Sequence, residues 1–389
     1  MADLTRRSFL LGPAVLAGCA PKRATGFRGY CLVADQDGRA VTAVDLTTFR
    51  VRRRIPLDAA PSLIVSHPSK PKAFVLAPDA GTVYEIDLVS FGVSRRVRAG
   101  SSAIALAIAP RKDHPERADS LWVLYRDPAA LIELRLDTFR PGRTIRFPSP
   151  PDVLDLSVDN RAAVAFKRDH AIALASLDHA AVERTFSTES APAFVLFRSD
   201  GETLVVGNEG RRSLTIYDVA TGKTVVRLAL AIEPQHFAVS PDGGQVFLSG
   251  DGMDAVAILF PYDTEIWQTV LAGHAPGAMA AVANNLTNPP SLLYVLAANP
   301  DANRITVLNG ETLTLAALVQ VGRAPRQILI TPDQKWALVV NGASGDLAVI
   351  RILSLNAAQS ERVLHYKTAP LFTMIPVGEK PVSAAVVGW

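Results

Sequence analysis

Pro234-Gln-His-Phe-Ala-Val-Ser-Pro-Asp-Gly-Gly-Gln-Val-Phe-Leu-Ser249 decides the fold. A proline-led apolar run meets a Pro-Asp-Gly-Gly turn and a second apolar run follows at once, the pattern of a hairpin. A Gly/Asp loop then leads into residues 255–260 and 265–271, so the copy holds four short β-rich runs. The opening recurs about every forty residues, the period of a repeat architecture. Its other copies begin at Pro61, Ser102, Pro151, Pro192, Pro276, Pro325 and Pro381. None carries a 3.6-residue apolar period, which argues for an all-β chain.

Four strands in about forty residues is the size of one propeller blade. The two ends show how such a ring closes. Residues 29–57 hold three strands without a proline-led one, and the chain ends on a lone leading strand at residues 381–389. Together they make one blade, which removes two sheet edges that would otherwise pair with other chains. The expectation is a single β-propeller of eight four-stranded blades over residues 29–389, closed by the C-terminal strand joining the first blade. The count becomes seven if one weak copy is an insertion. The weak places are the Arg-Lys-Asp-His-Pro-Glu-Arg loop at residues 111–117 and the stretch 356–367.

Gly-x-x-Pro, an apolar strand ending Ser-Pro-Asp-Gly, an apolar strand ending in Asn, and then Val-x-Val-Ile-Asp resemble the YVTN-type repeats of bacterial surface-layer and periplasmic propellers. Asn208, Asn299 and Asn341 stand where that family places its Asn, and Asp45, Asp87 and Asp218 where it closes the third strand with Asp. Leu-Val-Val-Gly-Asn208 and Ala-Leu-Val-Val-Asn341 replace the literal Tyr-Val-Thr-Asn. A repeat carries fold better than function.

Ahead of the repeats, Thr5-Arg-Arg-Ser-Phe-Leu10 resembles a twin-arginine export motif through Arg6 and Arg7. The apolar core that follows, residues 11–17, is too short to span a membrane. Leu16-Ala-Gly-Cys19 looks like a bacterial lipobox, in which small residues admit a signal peptidase and the Cys19 thiol takes a diacylglycerol. The expected layout is a signal peptide at residues 1–18, a tether at 19–28, and a lipid-anchored protein of the cell envelope whose only membrane contact is that lipid. Ala20, rather than Asp, resembles lipoproteins passed to an outer membrane.

The remaining composition is chiefly exclusionary. Lys plus Arg number 40 against 37 Asp plus Glu, which leaves no electrostatic footprint for nucleic acid. The chain has 2 cysteines. With Cys19 acylated, Cys31 has no disulfide partner and reads as a small buried hydrophobe in a strand. There is no Cys-x-x-Cys-His, His-Glu-x-x-His, Gly-x-x-x-x-Gly-Lys-Ser/Thr or Gly-x-Ser-x-Gly.

Function is therefore expected at the channel mouth, where the loops entering the innermost strands share a face with the loops between second and third strands. The candidates are Gln235, His236, Arg326, Gln327, Arg323, Arg211 and Arg304. Ser62, Asp152, Glu209, Arg212, His274, Asp346 and Ser383 stand nearby in the pattern. Guanidinium groups and imidazoles in one funnel favour a small anion, a glycan or a protein surface as partner. No cofactor or metal is expected. His236 is the residue type for haem or metal, but His67, His114, His170, His179, His274 and His365 are scattered among copies. Three classes follow: a binding scaffold; a propeller enzyme, a lactonase-like hydrolase or oxidoreductase-associated ring, with Glu209, His236 and Arg326 as its chemical types; and a structural surface-layer component.

Cys19→Ala is expected to release the protein from membranes in a fractionation of its native host, and continued retention would refute the lipid anchor.

Overall fold

Each copy folds as a four-stranded antiparallel sheet, and eight such sheets account for all 32 strands of the computed structural model. The structure describes residues 26–109, 120–284, 292–355 and 369–388. The leader with Arg6, Arg7 and Cys19, the loop at 111–117, and the insertion at 356–367 lie outside the described residues. Blade 1 is β3-β2-β1-β32, built from β1 (Gly29–Asp35), β2 (Ala40–Asp45), β3 (Arg50–Pro56) and β32 (Pro381–Gly388). β32 pairs antiparallel with β1 from Gly29↔Gly388 to Asp35↔Pro381, so the expected closure and the count of eight both hold.

The blades stack through their faces because the second and third strands are largely apolar on both sides. In blade 4, Ala162 and Val164 of β13 (Arg161–Phe166) pack toward blade 3 with Trp122 and Leu124. The alternate residues Ala163 and Ala165 pack toward blade 5 with Val195 and Leu204. This is the period-two rule of a strand with both faces covered. The eight buried clusters correspond to the eight blade interfaces, and the one across the closure joins Cys31, Val33 and Phe49 to Trp336 and Leu338. Cys31 is fully buried there as a free thiol, and burial pushes its pKa up to about 12.

Turn chemistry repeats with the blades. Asp45 Oδ1 accepts from the Thr47 and Thr48 amides, Asp87 Oδ1 from Val89 and Ser90, and Asn309 Oδ1 from Glu311 and Thr312. In blades 1, 2 and 7 the Asp or Asn closing the third strand therefore caps the turn to the fourth. All eight outer hairpins carry a register shift between third and fourth strands, which twists the exposed strand away from edge-to-edge pairing. Asn208, Asn299 and Asn341, which end the second strands of blades 5, 7 and 8, are fully buried. Asn299 Nδ2 donates to the Ala272 and His274 carbonyls and its Oδ1 accepts from Thr306, tying the second strand to the incoming loop.

Buried carboxylates anchor the outer strands of blades 2 and 3. Glu133 lies in β10 (Ala130–Arg135) and is held by Arg143 through its Nε at 2.8 Å and a second nitrogen at 2.7 Å, with Ser120 donating as well. The Arg143 hydrogen bonds outweigh burial and take the Glu133 pKa from 4.5 down to about 2. A carboxylate with a depressed folded pKa contributes stability above its unfolded value and loses it as pH falls toward the folded one. Glu133→Gln is expected to cost about 2 kcal/mol at pH 7. In chemical denaturation the gap to the parent protein should narrow as pH drops from about 4.5 toward 2; a gap independent of pH would show that the ion pair is not its source.

Candidate functional site

In an up-and-down blade the loops that enter the first strand and those between second and third strands lie at one end of the sheet, here called the entry face. The turns between first and second and between third and fourth strands lie at the other, the turn face. Innermost strands β20 (Glu233–Val239) of blade 6 and β28 (Pro325–Ile330) of blade 8 bring the first candidates to the entry face. Each carries a bulge one residue after its proline. The ladder passes from Pro234↔Gly250 to His236↔Ser249, and from Pro325↔Asn341 to Gln327↔Val340, leaving Gln235 and Arg326 as the extra residues. A bulge frees a residue from the pleat and re-aims its side chain. Gln235 and Arg326 are accordingly exposed, and Gly250 faces the bulge because a Cβ there would lie 1.8 Å from the Glu233 carbonyl.

The candidates separate into three groups. Gln235 and His236 share Asp251 of the neighbouring strand β21 (Val246–Asp251): Gln235 Nε2 donates to its Oδ2 at 2.9 Å. Desolvation lowers the His236 pKa from 6.5, with the Asp251 charge opposing the shift. Arg323 and Arg326 flank the blade 8 loop at residues 342–344. A guanidinium nitrogen of Arg323 donates to the Ala343 carbonyl at 3.2 Å, and the Arg326 Cδ lies 3.0 Å from where a Cβ on Gly342 would stand. Arg211 lies in the second loop of blade 5 and Arg304 opens the third strand of blade 7, β26 (Arg304–Asn309), and among the described residues no hydrogen bond or ion pair joins them to the inner group.

Gln327 proves to be a structural bridge. Its Oε1 accepts from the Ala384 amide at 2.7 Å and its Nε2 donates to the Ala384 carbonyl at 3.2 Å, clamping blade 8 to the closing strand of blade 1. Ser383 Oγ accepts from the Ile64 amide of blade 2, and Asp155 of blade 4 accepts from the Phe197 amide of blade 5 at 2.7 Å. Burial raises the Asp155 pKa to about 6 against those amide hydrogen bonds. Sequence reasoning missed Asp155. Its signal was an acid inside an otherwise apolar first strand, β12 (Val153–Leu156).

Of the enzyme-type residues, Glu209 pairs with Lys167 of blade 4 at 2.6 Å and makes no contact with His236 or Arg326. Among the described residues no group of three or more His, Cys, Asp or Glu stands close enough to hold a metal ion. A cavity of about 700 Å³ lies away from this mouth, on the turn face between blades 6, 7 and 8.

No protein-family model matches the chain, and no characterised protein sequence matches it. Among solved structures it is similar to dihydro-haem d1 dehydrogenase NirN in complex with DHE, at 15% identity and a TM-score of 0.71, covering 92% of this chain and 74% of that one. It is also similar to Kuenenia stuttgartiensis hydrazine synthase, at 19% identity and a TM-score of 0.56, covering 75% of this chain and 95% of the other. These likenesses are of the propeller fold.

Followed by NMR, the His236 ring is expected to titrate below 6.5. Asp251→Asn should move that midpoint lower still, because it removes the charge that favours the imidazolium; an upward move would contradict the placement of His236 beside Asp251.

Proposed function

We propose that this chain is an exported, lipid-anchored propeller of the bacterial cell envelope that captures an anionic ligand, or an anionic patch on a glycan or protein, on its entry face. One observation carries the reading: several acids of that face are already engaged, whereas three of its guanidinium groups are not. Asp251 is held by Gln235, Asp254 by His274, Asp346 by Asn341, Glu209 by Lys167 and Glu233 by the Gly210 amide. Arg211, Arg304 and Arg326 have no carboxylate partner among the described residues, and the Arg304 Nε is buried without a hydrogen bond. A buried donor left unsatisfied costs free energy that a bound acceptor would recover. Arginine is suited to the task because its fork matches carboxylate and phosphate oxygens.

A periplasmic propeller enzyme is the second reading. It is supported by His236, whose lowered pKa leaves the imidazole neutral and able to accept a proton near pH 7. Both structural neighbours named above are enzymes, and one is a dihydro-haem d1 dehydrogenase. Haem-type ligands carry carboxylates and so belong to the same anion class. A structural surface-layer role finds support only in the repeat itself.

The test uses Arg211→Ala, Arg304→Ala and Arg326→Ala combined, with citrate and protoporphyrin IX as probes. Each charge-assisted hydrogen bond lost is worth about 1.5–3 kcal/mol, so affinity should fall by at least about tenfold. Unchanged binding by a folded variant would remove the entry face as the site, and a chromophore that copurifies with the native protein would put the enzyme reading first.

A further inference from the structure

The cavity on the turn face is lined by residues whose chemistry differs from that of the mouth. Gln245 and Gln334 both line it, and the side-chain carbonyl oxygen of each is buried without a hydrogen-bond partner. Two orphaned acceptors in one cavity call for donors, because an unsatisfied buried carbonyl is a cost that folding does not ordinarily leave in place. Asp242 and Glu311 add two carboxylates, and among the described residues no Lys, Arg or His belongs to the lining. Trp267 is half exposed and meets Phe260 edge to face at 5.3 Å, so an indole surface is presented beside the acids.

Backbone geometry at the same place also sets blade 8 apart from the equivalent turns of blades 4, 5 and 6. The first turn of several blades needs one residue in the left-handed region. Blade 5 uses Gly201 at φ 78°, blade 6 Gly243 at φ 74° and blade 4 Asn160 at φ 56°, the residues that tolerate it best. Blade 8 places Gln334 there at φ 57°, in the same turn, with its amide donating to the Thr331 carbonyl at 2.7 Å. Glutamine has no backbone advantage in that slot. Here the slot is filled by a side chain that lines the cavity and whose carbonyl is unbonded.

We propose that this cavity, between blades 6, 7 and 8, is a second ligand site, for an organic cation bearing N–H donors, an alkylammonium or guanidinium head. The Gln245 and Gln334 carbonyls accept its N–H groups, Asp242 and Glu311 supply the countercharge, and the Trp267 indole covers its face or alkyl stem. Asp242 is fixed in its charged form: the Ser240 hydroxyl and the Gly244 amide donate to it and hold its carboxyl below the usual range. A cavity of about 700 Å³ lies in the usual size range for small-molecule sites. The site lies on the opposite face from Arg211, Arg304 and Arg326, so its occupancy is independent of the anion reading.

The test titrates the full chain with agmatine and with n-butylammonium, read by calorimetry and by the fluorescence of Trp267. Trp122 and Trp336 are buried, and Trp267→Phe identifies the signal. Saturable binding that weakens with salt is expected for both probes. Gln334→Gly should lower affinity about tenfold, the effect of one lost hydrogen bond, while leaving thermal stability unchanged or raised because glycine relieves the turn. A purely structural Gln334 would show the reverse pattern, lower stability with binding intact, and would overturn the assignment. Failure of both cations to bind, or binding of maltose in their place, would overturn it equally.

Discussion

A four-stranded blade has two apolar faces, and neither is covered until a neighbour packs against it. The ring satisfies that requirement only by closing. The pairing of β32 with β1 is therefore the contact on which the other interfaces depend, since it turns a row of sheets with two bare ends into eight equivalent interfaces. Side chains reinforce it: Gln327 clamps the closing strand from blade 8, Ser383 holds blade 2 from the other side, and Thr42 Oγ1 donates to the Val377 carbonyl at 2.6 Å. Gly378, at φ 137°, passes over the buried Asp35 where a Cβ would stand 2.0 Å from its Oδ2. Asp35 in turn is paired with Arg54 at 2.6 Å.

The same closure positions the functional surfaces. Because the first strand of each blade lines the channel, a bulge at its start moves a side chain toward the mouth without disturbing the packed strands behind it. Gln235 and Arg326 are presented this way, while Ala193 and Val382 occupy the equivalent bulges of blades 5 and 1 with no polar group. The scaffold repeats and the chemistry does not, which lets one fold serve unrelated ligands. The turn face follows the same logic, with Gly201, Gly243 and Asn160 as neutral fillings of a slot that blade 8 gives to Gln334.

Much of this was legible along the chain. Proline-led openings and Pro-Asp-Gly turns placed the first two strands of each blade, and residues 255–260 and 265–271 coincide with β22 (Ala255–Phe260) and β23 (Glu265–Leu271). The places of Asn208 and Asp45 in the repeat were readable, and each acts within a few residues of itself, Asn208 on Ser213 and Asp45 on Thr47. Gln327 was not readable: its position beside Arg326 suggested a ligand contact, and its partner is Ala384, in another blade. Glu209 likewise pairs with Lys167 of the neighbouring blade 4.

The sequence by itself determined the repeat and the order in which the ends meet, and favoured eight blades over seven, because hairpin turns, period-two alternation and strand length are local properties with fixed offsets. Only the tertiary structure decided which polar groups are left over once the ring has formed. Ion pairs between Glu209 and Lys167, the clamp of Gln327 on Ala384 and the meeting of Gln245 with Gln334 around one cavity all cross blade boundaries. Such contacts depend on the curvature of the ring and the direction of each side chain, and no spacing along the chain encodes either.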